Sequence, residues 1–146
     1  MTSMKILLAD DDEDDRMFFE EALEELRLPT DITTVGDGIE LIEFLDNNPD
    51  YEPHILFLDI NMPRMNGIEA LKELRAKPGW KNWVVAIYST SNAEADIEET
   101  FVQGANIYIK KPNDFNVLKK TLEEVVNMNW QFHSSGLNKE TFLLKI

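Results

Sequence analysis

Five polar residues stand after short apolar runs. Asp10 and Asp11 follow Lys5-Ile6-Leu7-Leu8-Ala9, Asp59 follows His54-Ile55-Leu56-Phe57-Leu58, Ser89 follows Trp83-Val84-Val85-Ala86-Ile87-Tyr88, and Asn106-Ile107-Tyr108-Ile109 runs through Lys110 into Lys111. If these runs are strands of one open parallel sheet, the five residues lie at its carboxyl edge, where such sheets bind ligands. Three carboxylates, a hydroxyl and an ammonium would then meet, although they are spread over about a hundred positions of chain. Carboxylates a few ångströms apart repel by about 4 kcal/mol per pair at the effective dielectric of a protein surface. A hard divalent cation offsets that repulsion. Two or three carboxylates completed by water and a phosphoryl oxygen describe Mg²⁺ better than Ca²⁺, which takes more protein oxygens. An ammonium beside such a pocket can neutralise an added phosphoryl oxygen, with Pro112 fixing the turn that aims Lys111.

Plainer readings exist for each residue alone. The acids from Asp10 to Asp15 suit the positive end of a following helix, at a few tenths to about 1 kcal/mol each. For Asp12, Asp14 and Asp15 that reading is adopted. A lysine next to a proline is ordinarily a solvated turn residue, and Ser89 by itself is an ordinary strand-end hydroxyl. The conjunction at all four strand ends carries the argument.

The elements that must position these residues are visible as short aliphatic runs alternating with helical periodicity, the pattern of βαβ units around a parallel sheet. Five pairs are expected. Lys5–Ala9 reads as a strand before a helix from Glu13 to Arg27, with Met17, Phe18, Ala22, Leu23 and Leu26 on one face and Pro29 as its stop. Asp31–Val35 is the second strand and Ile39–Asn47 the second helix, joined by Gly36-Asp37-Gly38. His54–Asp59 is a continuously apolar third strand, as expected where both faces are covered. A loop from Asn61 to Gly67 leads to a third helix marked by Ile68, Leu71 and Leu74. Trp83–Tyr88 is the fourth strand, Ala93–Gln103 a helix ended by Gly104, Asn106–Ile109 the fifth strand and Asp114–Met128 the last helix. Residues 129–146 carry Trp130, Phe132, Leu137, Phe142, Leu143, Leu144 and Ile146, too apolar for a linker and too short for a domain.

The 146 residues suit one domain, and 43% hydrophobic content supplies a core, which excludes a disordered chain. Without cysteine there is no disulfide, zinc thiolate, Fe–S cluster or thiol nucleophile. The 28 acids against 14 bases give a net charge of −14, which argues against binding nucleic acid or an anionic membrane. The N-terminus has no signal-peptide pattern and no run spans a membrane, so a cytoplasmic address is expected.

The segments Ile6-Leu7-Leu8-Ala9-Asp10-Asp11-Asp12, Leu58-Asp59-Ile60-Asn61-Met62-Pro63 with Met65-Asn66-Gly67, Ile87-Tyr88-Ser89-Thr90-Ser91, and Gly104-Ala105-Asn106-Ile107-Tyr108-Ile109-Lys110-Lys111-Pro112 occur in order. Over roughly Met4 to Met128 the chain resembles a receiver domain of the two-component response regulators, of the stand-alone type that includes partners of phytochrome-type kinases. The resemblance implies a flavodoxin-like, doubly wound five-stranded sheet of order 2-1-3-4-5, with a receiver over residues 1–128 and an extension over 129–146. It also implies that Asp59 accepts a phosphoryl group from a sensor histidine kinase or phosphotransfer protein. Asp10, Asp11, Asp59 and the backbone carbonyl of Asn61 would hold Mg²⁺. Ser89 and Lys111 would bind the phosphoryl group, Ser89 and Tyr108 would form the switch, and Asn61 and Ser91 would tune hydrolysis.

Such a chain is a phosphoacceptor signalling domain rather than an enzyme; its output is a downstream protein target met through the fourth helix, fifth strand and fifth helix, or onward transfer of the phosphoryl group in a relay, or a phosphate sink that drains a kinase, and the sequence does not choose among these. Thr90 stands where many members have alanine, which leaves less room for an inward Tyr108. The extension has three readings: cover for the domain's own surface, a dimer contact, or a docking strand. A haloacid-dehalogenase phosphatase would need an acid where Asn61 stands, and a flavin binder a hydroxyl- and glycine-rich loop after the first strand. The remaining alternative is a pseudo-receiver, an interaction module that is not phosphorylated, although neither the acids nor the lysine are lost.

Overall fold

The computed structural model describes residues 3–128 and 139–144. Five parallel strands, β1 (Met4–Ala9), β2 (Thr30–Val35), β3 (Ile55–Leu58), β4 (Val85–Ser89) and β5 (Ile107–Lys110), form one sheet in the order β2-β1-β3-β4-β5. Between them run α1 (Glu13–Glu24), α2 (Gly38–Asn47), α3 (Gly67–Ala76) and α4 (Glu94–Val102). Helix α5 (Phe115–Val126) follows β5, and a short α6 (Lys139–Phe142) lies in the extension.

Alternate residues of each buried strand feed two cores. Leu7, Ala9, Leu56, Leu58, Val85 and Ile87 pack with Leu41 and Leu45 of α2 and Ala70, Leu71 and Leu74 of α3. Ile6, Leu8, Phe57, Ala86 and Tyr88 pack on the opposite face with Phe19, Ala22 and Leu23 of α1 and Leu118, Leu122 and Val125 of α5. Edge-to-face rings, Phe19 on Phe57 at 4.9 Å and on Tyr88 at 5.4 Å, tie α1 to the two strands beneath it. Coverage on both faces explains why β1, β3 and β4 read as unbroken apolar runs.

Register places the polar strand ends together. Ala9 pairs with Leu58, Leu58 with Ile87, and Ser89 with Lys110, so Asp10 and Asp59 emerge side by side. The Asp59 amide donates to the Ala9 carbonyl at 2.9 Å.

Most element boundaries differ from the sequence expectation by a few residues at most, and in two places a specific bond accounts for the difference. Helix α1 stops at Glu24 rather than Arg27, because the Leu26 amide tightens the turn onto the Leu23 carbonyl at 3.0 Å. Strand β4 begins at Val85 rather than Trp83, since the Trp83 carbonyl accepts from Arg75 Nη1 at 2.7 Å. Arg75 also donates to the Gly104 carbonyl and to Asn106 Oδ1, stitching the end of α3 to the start of β5. Gly104 sits at φ 94, a left-handed conformation that suits the end of α4.

Of the extension's apolar residues, Trp130, Phe132, Leu137 and Ile146 lie outside the described residues. Phe142 is 2% exposed, edge-on to Phe101 at 5.3 Å and to Tyr108 at 6.1 Å. Leu143 forms a parallel bridge to Tyr108, and the Leu144 amide donates to the Tyr108 carbonyl at 2.9 Å. The described part of the extension therefore covers the domain's own surface at the open edge of β5. No helix among the described residues is long and apolar enough to cross a membrane.

Candidate functional site

The loop ends of β1, β3 and β5 bring three acids and a lysine into one pocket. One carboxylate oxygen from each of Asp10, Asp11 and Asp59 lies within 4.8 Å of the other two. Lys111 Nζ is 2.7 Å from Asp10 Oδ2, 3.1 Å from Asp59 Oδ2 and 2.8 Å from Asp15 Oδ2. Asp10 and Asp59 are buried, whereas Asp11 is exposed at the mouth.

Burial dominates the electrostatics. It pushes the Asp10 carboxyl up to about 6, against the opposing pull of Lys111 and of the Asp12 amide, which donates to Asp10 Oδ1 at 3.0 Å. Burial likewise raises Asp59, opposed by Lys111 and by the Asn61 and Ile60 amides. For Lys111 burial works against the charge, yet its close contacts with Asp10 and Asp15, with the charges of Asp59 and Asp10, outweigh it and hold the ammonium firmly protonated.

The donor set fits a hard divalent cation. All three groups are carboxylates, and Asp10 Oδ2 is buried with no hydrogen-bond partner, its 2.7 Å contact with Lys111 being an ion pair at an angle that makes no hydrogen bond. Asn61 is exposed in the loop two positions after Asp59.

That loop is held from two sides. The Gly67 amide donates to the Ile60 carbonyl at 2.8 Å, and a Cβ at Gly67 would stand 2.0 Å from the Asp59 carbonyl oxygen, so only glycine admits this approach. Arg64 adopts φ 62, which costs a side-chain-bearing residue about 1–2 kcal/mol. It grips buried Asp37 through Nε at 2.9 Å and Nη2 at 3.2 Å. Asp37 in turn caps α2 by accepting from the Glu40 amide, and the Gly38 amide donates to the Met65 carbonyl.

On the other side stand hydroxyls. Ser89 is fully buried, its carbonyl accepts from the Lys111 amide at 2.8 Å, and its Oγ accepts from the Ser91 amide at 3.2 Å. The Tyr108 hydroxyl donates to the Ser91 carbonyl at 2.8 Å, and its ring is fully buried. Thr90 is exposed, and Tyr108 is buried with Thr90 in place. The Ser91 hydroxyl is turned from the pocket toward α4, donating to Asp96 Oδ2 at 2.5 Å.

The structure thus brings Asp10, Asp11, Asp59 and Lys111 into direct company. Ser89 and Tyr108 sit beside them in a connected chain of hydrogen bonds, and the Ser91 side chain stands apart. Asp12 caps α1 by accepting from the Asp15 amide, as its helix-end reading expects. Asp15 departs from that reading, since its carboxylate is bound to Lys111. A run of acids gives no signal of which member turns inward. Arg16, whose Nη1 donates to the Asp10 carbonyl at 2.6 Å, was also not legible as part of the site.

A family model described as the response regulator receiver domain matches residues 6–123. The chain belongs to the response-regulator receiver family. This receiver is 34% identical over 126 residues to the chemotaxis protein CheY1 of Helicobacter pylori, covering 86% of the chain and 99% of that relative. It is 27% identical to the response regulator Rcp1 of Synechocystis, covering 82% of the chain and 84% of Rcp1. Among solved structures, the phosphorylated cyanobacterial phytochrome response regulator RcpA superposes with a TM-score of 0.79 at 28% identity, covering 94% and 98% of the two chains. The Mn²⁺-bound form of Rcp1 gives 0.76 at 25% identity, covering 87% and 94%. The sheet order 2-1-3-4-5 and the flavodoxin-like winding are those of this family.

Proposed function

We propose that this receiver takes a phosphoryl group onto Asp59 from the phosphohistidine of a sensor histidine kinase or phosphotransfer protein. The observation that carries the reading is the meeting of Asp10, Asp11 and Asp59 within 4.8 Å, with the Lys111 ammonium among them. That one relative was solved phosphorylated and another with Mn²⁺ supports it. In the transfer, a carboxylate oxygen of Asp59 forms the new O–P bond as the N–P bond of the donor breaks, and the imidazole keeps the electron pair.

Asp10, Asp11, Asp59 and the Asn61 carbonyl would hold Mg²⁺, which when bound supplies charge neutralisation on the phosphoryl oxygens. Lys111 supplies the same from the opposite side, its ammonium already desolvated and protonated. Buried Asp59 presents its nucleophilic oxygen in a site from which most water is excluded. Ser89 Oγ, which accepts from the Ser91 amide and also lies against the Tyr108 hydroxyl, can turn its proton toward an acquired phosphoryl oxygen. That turn pulls on the 89–91 segment, which carries the carbonyl that Tyr108 holds.

The inward Tyr108 is then one of two states whose balance the phosphoryl group shifts, and the α4–β5–α5 face is the surface a protein target would read. Asn61, two positions after Asp59, and Ser91, two positions after Ser89, would tune hydrolysis of the acyl phosphate, Ser91 through the placement of its backbone.

Intact-protein mass spectrometry after incubation with Mg²⁺ and acetyl phosphate tests the reading. A single phosphoryl adduct that requires Mg²⁺ and disappears in Asp59→Ala is expected. No adduct, together with no binding of beryllofluoride, would replace this function with that of an unphosphorylated interaction module.

A further inference from the structure

We infer that Asp15 is a positioning residue for phosphoryl transfer, acting through Lys111 as the partner that the ammonium gives up when a phosphoryl group arrives. The inference rests on the phosphoacceptor reading and extends it to a residue outside the acid pocket.

A lysine ammonium has three N–H donors, and that of Lys111 faces three carboxylates at 2.7, 2.8 and 3.1 Å. Two of these contacts are hydrogen bonds, to Asp15 and Asp59, and the third is the ion pair with Asp10, so a phosphoryl oxygen that comes up to a nitrogen already faced by three carboxylates displaces one of them. Asp10 is fully buried and Asp59 nearly so, so a released carboxylate at either place would be left in the interior without its counter-charge. The Asp15 side chain is 39% exposed, on the first turn of α1, and water takes over its solvation when the ammonium leaves. Asp15 is therefore the least costly partner to exchange.

Until that exchange, its negative charge cancels part of the attraction that Lys111 exerts on a phosphate dianion. Asp14, one position away on the same turn, is exposed and is not one of the three carboxylates that face Lys111. The effect therefore belongs to the contact rather than to the helix end.

Asp15→Asn, Asp15→Glu and Asp14→Asn are compared with the wild-type chain in the rate of phosphorylation by acetyl phosphate with Mg²⁺, in beryllofluoride affinity, and in melting temperature. Asp15→Asn is expected to be phosphorylated about fivefold faster and to bind beryllofluoride more tightly, as removal of an exposed ion-pair partner allows. Asp15→Glu, which keeps the charge, should stay near the wild-type rate, and Asp14→Asn likewise.

Equal rates for Asp15→Asn and Asp14→Asn, or a slower Asp15→Asn, would overturn the inference while leaving phosphorylation of Asp59 intact. A change in melting temperature alone would assign Asp15 to the helix end only. A wild-type chain that takes no phosphoryl group would sink the parent reading and this one with it.

Discussion

Asp10 is the most deeply placed acid of the pocket, and its titration sets two opposite pH dependences. Burial holds its carboxyl at about 6 in the fold, against 3.8 in an unfolded chain, so between those values the folded state carries the extra proton. Without metal, the contribution of Asp10 to stability must fall as pH rises from about 4 to 6 and level off above, because stability declines wherever the native state binds more protons. Mg²⁺ needs the ionised group, so its affinity should weaken by about tenfold per pH unit below 6 and be flat above 7. Melts in chelator and Mg²⁺ titrations across pH 4.5–8 read both trends; parallel rather than opposite slopes would contradict the burial of Asp10. Asp59 is raised in the same direction by burial, so Asp59→Asn should melt about 2–4 °C higher in chelator, the shift that 1 kcal/mol produces at this size. Millimolar Mg²⁺ should raise the wild-type melting point and have much less effect on Asp59→Asn. An unchanged melting point in both tests would mean that the carboxylates do not repel one another.

At the scale of elements, the site depends on how closely α3 approaches the end of β3. Gly67→Ala forces a Cβ against the Asp59 carbonyl, so it should cost about 2 kcal/mol or more and weaken Mg²⁺ binding at once, read by urea unfolding and by metal titration. A loss of stability with unchanged metal affinity would show that the Asp59 backbone is not what yields. The same elements show which features a sequence carries. Strands β1 and β3 were legible because burial on both faces makes their apolar runs continuous, and their acids were legible because each run ends on one. The start of β4 was not, because Trp83 is as apolar as a strand residue and what removes it is a bond from Arg75 on another helix. Asp15 escaped for a related reason: helix-end chemistry accounts for any acid there, while its partner Lys111 lies 96 positions away. Contacts of that range leave no periodicity to read.

In the whole molecule, the two edges of the sheet are finished differently. The edge at β5 is partly closed by the chain's own 142–144 segment, with Phe142 buried over Tyr108 and Phe101. The apolar composition of the extension announced burial but not against what, since composition carries no address. Phe142→Ala should free this segment and speed amide hydrogen exchange in β5 and at Leu144, while exchange in β1 and β3 stays unchanged. Uniform acceleration across the sheet would show instead that the extension supports the whole fold. The pocket itself lies between unequal walls. On the β3–α3 side a two-pronged guanidinium grip on Asp37, an α2 cap and the Gly38 amide all hold one loop, and moving it means breaking several charged bonds together. On the β4 side, beyond the backbone bond from the Lys111 amide to the Ser89 carbonyl, the 89–91 segment is held by single bonds to the hydroxyls of Ser89 and Tyr108, which reorient about one torsion at small cost. If Asp59 takes a phosphoryl group as proposed, a push from within the pocket meets an anvil toward β2 and a latch toward β5, and the 89–91 side is the one expected to yield.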